Sequence, residues 1–166
     1  MERIKQTCIE MLTQRNYVIT ENDDESTAII ATKPNGEQMC VIIYTQEKFD
    51  MERMTDCIKI IAALEMSHGI IIYQNNITPL AKNVVSTCMD IKLELFQADE
   101  LKYNITKHKY YCKHTKVTDS ELENLKGLKF QTLRVEDPVA RFFAYERGDI
   151  IEVEDKKGYI SYCIVK

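Results

Sequence analysis

Three side chains with metal-ligand chemistry lie close together in this sequence, His108, Cys112 and His114, in the pattern His-x3-Cys-x-His. A closed structural zinc site takes four such ligands, so a site here would need Cys88 or Cys163 brought in by the fold. The simpler reading makes the three surface and linker residues. A second constellation is carboxylate-rich. Glu25, Glu37, Glu47 and Lys48 bracket two strand-like segments, and carboxylates with a lysine at adjacent strand ends could hold Mg²⁺ and orient a water for nucleic-acid hydrolysis. Solvated charge also collects at hairpin mouths and strand ends, and that is again the simpler reading. His68 has no cysteine near it in sequence, and no local signature supports a Cys–His nucleophile. Neither G-x-x-x-x-G-K-[S/T] nor G-x-G-x-x-G occurs, and five glycines leave little material for a phosphate-cradling loop. Catalytic residues, cofactor ligands and metal ligands are therefore all expected to be none.

The elements that must position any site read as follows. Ile4, Cys8, Met11 and Leu12 form one apolar stripe, predicting a helix over 2–14. Asn16 and the acidic stretch Glu21–Glu25 interrupt it. Thr27–Thr32 and Met39–Thr45 predict a hairpin around Lys33-Pro34-Asn35-Gly36, with Asn-Gly supplying positive φ. A second helix is expected over Phe49–Met66, with Met51, Met54, Ile58, Ile61 and Leu64 on one side and Gly69 ending it. Ile70–Tyr73 reads as a buried strand, Thr78-Pro79 as an N-cap with proline at the first helical position, and Lys92–Phe96 as another strand. This alternation predicts an α/β domain, a mixed sheet with flanking helices, over residues 1–109.

Residues 110–166 change character. Thr118-Asp119-Ser120-Glu121 is a capping box opening a short helix that stops at Gly127. Asp137-Pro138 opens another, and Ile150–Val153 and Tyr159–Val165 flank the turn at 155–158. A small α+β domain ending in a β-hairpin is expected here.

Composition limits the functions available. Of the 166 residues 45% are hydrophobic and 29% charged, as in globular domains, and no stretch approaches the roughly 20 apolar residues of a membrane helix. The N-terminal sequence lacks the apolar run of a secretory signal, so an intracellular chain is expected, with its six scattered cysteines as small buried hydrophobes. Residues 1–112 carry 12 Lys/Arg against 16 Asp/Glu, and residues 113–166 carry 10 against 10. Neither part has the positive excess that drives autonomous binding to phosphate backbones.

The segment Asp137-Pro138-Val139-Ala140-Arg141-Phe142-Phe143, followed by Arg147-Gly148-Asp149, puts an arginine and two aromatics on a very short helix. Consecutive helix positions point about 100° apart, so one phenylalanine is expected to face a partner; an even choice remains between a docking surface and local packing. These residues, continuing through Ile150-Ile151 and on to Tyr159-Ile160-Ser161-Tyr162, resemble the signature of the fifth small subunit common to eukaryotic RNA polymerases I, II and III. Residues from about 110 to 166 are similar to that subunit's archaeal RNA polymerase counterpart, which consists of little more than this domain. Ile77-Thr78-Pro79-Leu80-Ala81-Lys82, Leu95-Phe96 through Glu100-Leu101, Asn104-Ile105-Thr106-Lys107-His108 with His114, and Arg15-Asn16-Tyr17-Val18-Ile19-Thr20 extend the resemblance in the same order.

The resemblance implies a non-catalytic subunit of a DNA-directed multisubunit RNA polymerase. It implies docking on the largest subunit through Asp137, Pro138, Val139, Arg141 and Phe142, with the domain at 1–109 contributing to a jaw near downstream DNA. Thr78, Pro79 and Lys82 would then lie nearest the duplex, which is met only within the assembly; an ordinary capped helix start explains them equally well. Other polymerase subunits and transcription factors are the implied partners, with no membrane. The chain departs from the family pattern at Phe130-Gln131, Ala144 (where glycine is usual), Glu154 and Cys163, and in its shorter 155–158 hairpin and N-terminal domain. Those departures point to a diverged lineage, a large DNA virus with its own polymerase being the leading expectation. The expected location is the nucleus for a cellular chain, or the host cytoplasm, viral factory or virion for a viral one. The competing readings are a metal-dependent nuclease-like domain on Glu37, Glu47 and Lys48, and a free transcription-regulatory adaptor.

Overall fold

A computed structural model of the protein describes residues 2–22, 28–46, 48–125 and 127–166. The chain divides into two compact units, Met1–Tyr103 and Asn104–Lys166. The acidic stretch Glu21–Glu25, like Glu47, lies largely or wholly outside the described residues.

In the first unit, α1 (Glu2–Gln14) buries Ile4, Cys8, Met11 and Leu12, as its 3.6-residue pattern requires. Asn16 then turns the chain with a φ of 65°, a left-handed conformation that asparagine tolerates better than most residues. A strand follows that the polar sequence does not signal, β1 (Val18–Asn22), antiparallel to β2 (Ala28–Thr32). β2 pairs antiparallel with β3 (Gln38–Ile43), giving the expected hairpin. Its turn uses positive φ at Gly36 alone, 88°. Asn35 contributes its side chain instead, accepting a hydrogen bond from the Glu37 N–H at 3.1 Å.

β3, β5 (His68–Tyr73) and β7 (Lys92–Gln97) run parallel, and the five-stranded order is β1-β2-β3-β5-β7. The crossovers carry α2 (Met51–Ala63) and α3 (Pro79–Thr87), each entered through one strand of a short parallel pair, β4 (Lys48–Phe49) and β6 (Asn76–Ile77). The mixed sheet with flanking helices is the expected architecture. Alternate residues along a strand point to opposite faces. Cys40, Ile42, Ile71 and Leu93 pack with Met54, Cys57, Ile61 and Ala81 from the two crossover helices. Residues of the other parity, Met39, Val41, Ile70 and Ile72, are fully buried as well, so both faces are covered.

Two expectations about α2 need correction. Cys57 joins Met54 and Ile61 on the buried side, whereas Met51 and Leu64 are exposed. The helix ends at the Leu64 cap, followed by Glu65 at a φ of 55°. Gly69 lies inside β5 and ends nothing. It is glycine because a Cβ there would run into Ile61 Cδ1 across the helix–sheet interface.

In the second unit, β8 (Lys113–Lys116), β9 (Gln131–Leu133), β10 (Ile150–Glu154) and β11 (Ile160–Val165) form a sheet ordered β8-β10-β11-β9. β9 is parallel to β11, and the other pairs are antiparallel. α4 (Asp119–Leu122) opens on the expected capping box and continues as a 3₁₀ turn, Glu123–Leu125. α5 (Pro138–Phe143) precedes the closing hairpin. Asp155 holds that hairpin's turn, its carboxylate accepting from the Lys157 and Tyr159 N–H groups at 2.7 and 2.9 Å. One sheet face packs Ile151, Val153 and Val165 against Ala140, Phe143 and Tyr145. The other packs Ile150, Tyr162 and Ile164 against Val117, Leu122 and Leu125. This is the small α+β unit ending in a β-hairpin that the sequence predicts.

Candidate assembly and nucleic-acid-facing surfaces

Local chemistry fixes α5 at both ends. The Asp137 carboxylate accepts from the Val139 N–H at 2.8 Å, Pro138 occupies the first turn, and Ala144 ends the helix at a φ of 55°. Pro138 is exposed, while Val139 and Arg141 are partly exposed. Of the two adjacent aromatics one is buried and the other, Phe143, stays partly exposed. Phe142 is only 3% exposed, and α5 lies against the 3₁₀ turn Ile105–Lys107. Phe143 meets Phe142 edge-on at 5.3 Å and stacks on Tyr145 at 5.4 Å within the sheet-side core. Two neighbouring aromatics find separate cover because the helix is packed on two sides. Pro138, Val139, Arg141 and part of Phe143 make up the outer surface of this helix.

Thr78 caps α3, its hydroxyl accepting from the Ala81 N–H at 3.3 Å, with Pro79 following and no acidic residue in the first turn. Pro79, Leu80 and Lys82 are exposed. Lys48 stands opposite Asn76 in the β4–β6 pair, and the Thr78 N–H donates to the Phe49 carbonyl at 3.1 Å. The fold therefore brings β4, with Lys48, against the segment that leads into α3. Both lie beyond the carboxyl ends of β3 and β5, the edge where open α/β sheets commonly present ligand-facing groups.

Of the carboxylate constellation, the described members Glu37 and Lys48 are not brought together. Glu37 precedes β3 and Lys48 follows it, so about 20 Å of strand separates them; Glu25 and Glu47 lie outside the described residues. The Glu37 carboxylate is engaged locally, accepting from the Tyr17 hydroxyl at 2.6 Å and from Lys33 at 2.9 Å. Those two hydrogen bonds, Lys33's first, hold its pKa down at about 2. The His/Cys trio is also occupied locally. His114 Nδ1 lies 2.7 Å from the Cys112 carbonyl, and His108 Nδ1 accepts from the Tyr110 N–H at 3.3 Å. Among the described residues no group of three or more His, Cys, Asp or Glu is arranged to hold a metal ion.

What sequence reasoning missed is a buried polar network in the first unit. Arg15 donates two parallel hydrogen bonds to Glu94, both 2.9 Å, and His68 Nε2 lies 2.8 Å from the same carboxylate. His68 Nδ1 is 3.7 Å from Glu37, which extends the chain of contacts to Tyr17 and Lys33. Burial works to raise the Glu94 pKa, but Arg15 and His68 outweigh it and hold the group at about 2. Cys8 lies near this network, and burial pushes its thiol up to about 12. Its thiolate is thus unavailable at neutral pH. The one visible sequence signal was a glutamate inside the apolar run Leu93-Glu94-Leu95-Phe96.

The fold defines a two-unit protein, an α/β unit followed by a small α+β unit. Residues 103–165 match the family model described as RNA polymerase Rpb5, C-terminal domain, a stretch that nearly coincides with the second compact unit. That unit matches the Rpb5 C-terminal domain, and the chain's curated homologues include the subunit shared by RNA polymerases I, II and III and a viral RNA polymerase subunit. DNA-directed RNA polymerases I, II, and III subunit rpabc1 of Dictyostelium discoideum is 29% identical, with 96% of this chain and 94% of that protein aligned. The putative DNA-directed RNA polymerase subunit 454R of Invertebrate iridescent virus 6 is 34% identical over 58% of this chain and 60% of its own length. A crystal structure of a repair endonuclease from Pyrococcus abyssi aligns at a TM-score of 0.42 with 12% identity, covering 58% of this chain and 46% of that one; so loose a likeness speaks for neither fold nor activity. No described helix is long and apolar enough to cross a membrane.

Proposed function

We propose that this chain is a non-catalytic subunit of a DNA-directed multisubunit RNA polymerase. Its C-terminal unit docks on the largest subunit, and its N-terminal unit stands near downstream DNA as part of a jaw. The observation that carries the reading is the family match over 103–165, a stretch that includes the capped Asp-Pro helix. In this reading Pro138, Val139 and Arg141 meet the partner, Asp137 fixes the helix, and Phe142 supports it from beneath. Thr78, Pro79, Lys82 and Lys48 face the duplex, at a helix start whose first turn carries no acidic residue. Net negative charge in the N-terminal part keeps that contact dependent on the assembly. The location follows the polymerase, in the nucleus of a cellular host or in the viral compartment of a virus.

Tagged full-length chain recovered from its native host and read by mass spectrometry tests this directly. The large polymerase subunits should co-purify in fixed ratio, and Arg141→Glu should cut their recovery at least about tenfold while the thermal melt of the purified chain is unchanged. Full recovery with Arg141→Glu would sink the docking assignment. Recovery without any large subunit would favour the free adaptor. Degradation of plasmid DNA by the pure chain with Mg²⁺ or Mn²⁺ would favour the nuclease. For the jaw, Lys48→Glu with Lys82→Glu should leave co-purification intact and reduce crosslinking to downstream DNA; unchanged crosslinking would remove that assignment.

A further inference from the structure

On the sheet face opposite α5 the second unit carries a groove of about 190 Å³ between β8, β10, β11 and the α4 turn. Val117, Leu125 and Tyr162, which belong to the apolar cluster on this face, give it an apolar part, and the rest of its lining is polar. The volume is well below the 300–1,000 Å³ typical of sites for whole small molecules, and it suits one inserted side chain. The lining charge is one-sided once pairing is counted. Lys116 Nζ lies 2.8 Å from Asp149 Oδ1, which matches its charge. Glu121 accepts from the Thr118 N–H and hydroxyl at 2.9 and 2.7 Å, contacts that keep it ionised. Glu152 accepts from the Tyr162 hydroxyl at 3.1 Å. Among the described residues neither glutamate has a Lys or Arg partner.

A partner does not enter by extending the sheet at His114. That residue's carbonyl accepts from the Tyr145 hydroxyl at 3.3 Å, and its N–H donates to the Tyr111 hydroxyl at 3.4 Å, so these edge groups of β8 are already closed. We propose that the groove docks a basic segment of a partner protein. One aliphatic side chain inserts over Val117 and Leu125, and flanking Arg or Lys residues pair with Glu121 and Glu152. Because groove and α5 lie on opposite faces of one sheet, this docking leaves the α5 surface open for the assembly role.

The test titrates isotope-labelled full-length chain with a capped heptapeptide that has a central leucine flanked by two arginines, followed by heteronuclear NMR. A control peptide carries glutamates in place of the arginines. The arginine peptide should give saturable shifts at Thr115–Val117, Glu121–Leu125, Glu152 and Tyr162, and bind about tenfold or more tightly than the control. Glu152→Lys should lower the affinity about tenfold, as should Asn124→Arg at the exposed lip, a position where folding is not at stake. Equal binding of the two peptides, saturable shifts only elsewhere, no binding at all, or wild-type affinity in a folded Asn124→Arg chain would each overturn the proposal.

Discussion

Glu94→Gln is the sharpest perturbation of the first unit. Glu94 takes both terminal nitrogens of Arg15 and the Nε2 of His68, and the Arg15 and Glu94 side chains are 4% and 15% exposed. Glutamine keeps the shape, but its amide oxygen serves only one Arg15 donor and its NH₂ opposes the other. The guanidinium is then left charged in a site that water barely reaches. Removing one partner of a buried ion pair costs about 3–5 kcal/mol. The residual exposure of Glu94 and the one surviving hydrogen bond argue for the lower end, about 3 kcal/mol. For a domain of this size that lowers the midpoint of thermal unfolding by roughly 12–24 °C, a large share of the 5–15 kcal/mol that stabilises a typical domain.

Urea denaturation followed by far-ultraviolet circular dichroism measures the loss, since the chain has no tryptophan to report it. Amide exchange at Ile70–Ile72 and Leu93–Phe96 locates it. The double variant Arg15→Met/Glu94→Leu removes both charges and should recover more than half of the loss, because a well-packed apolar pair can replace a buried ion pair at little cost. His68 then lacks its acceptor, which keeps recovery short of complete. A loss below about 1 kcal/mol in Glu94→Gln, or a double variant less stable than the single, would refute this account of the network.

The same carboxylates set a pH window. Glu94 and Glu37 titrate near 2 in the folded chain, below their unfolded value, so their stabilisation is complete above about pH 4.5 and is lost as pH falls toward 2. Denaturation midpoints across pH 5 to 2 should fall steeply in the wild type and less steeply in Glu94→Gln. Ala144→Gly relieves a residue held at a φ of 55° and should stabilise the second unit by about 0.5–1 kcal/mol, the left-handed strain less the greater flexibility of glycine; a lower melting temperature would contradict it. Gly69→Ala should cost about 1–3 kcal/mol by overpacking against Ile61. Adding Ile61→Val, which removes the offending Cδ1, should return part of that loss in the same denaturation assay.

The elements legible in the sequence are those whose burial imposes a period. α1 and the parallel strands β3 and β5 bury a stripe or both faces, so their apolar positions had to repeat. The caps of α3, α4 and α5 were legible for a different reason. Each is a contact between residues two or three apart, so type and spacing nearly determine it. β1, β8 and β9 were not legible. Each is an edge strand, paired on one side only, and segments such as Lys113-His114-Thr115-Lys116 need no apolar alternation when their side chains stay mostly in water. The Arg15–Glu94–His68 network joins positions 79 and 26 residues apart, a juxtaposition that needs the parallel β5–β7 pairing for His68 and the placing of the α1 end for Arg15.

The candidate docking helix shows where local legibility stops. Asp137, Pro138 and the helix they start were readable, yet the same reading left the two phenylalanines with too little core to cover them. Phe142 is covered near the Ile105–Lys107 turn and Phe143 by Tyr145, neither of which the short helix announces. This changes what a docking surface at α5 must be. With Phe142 buried and Phe143 partly covered, little aromatic surface is left at α5 as a hydrophobic anchor. On the proposed docking, affinity would then come mainly from Arg141 and the shape of the Pro138–Val139 turn, supported by the aromatics beneath. Shortening that support separates the two roles. Phe143→Leu should leave docking chemistry in place while loosening its support, and should therefore weaken recovery of the large subunits less than Arg141→Glu does, and more at higher temperature. Equal recovery losses at every temperature would mean that Phe143 itself meets the partner.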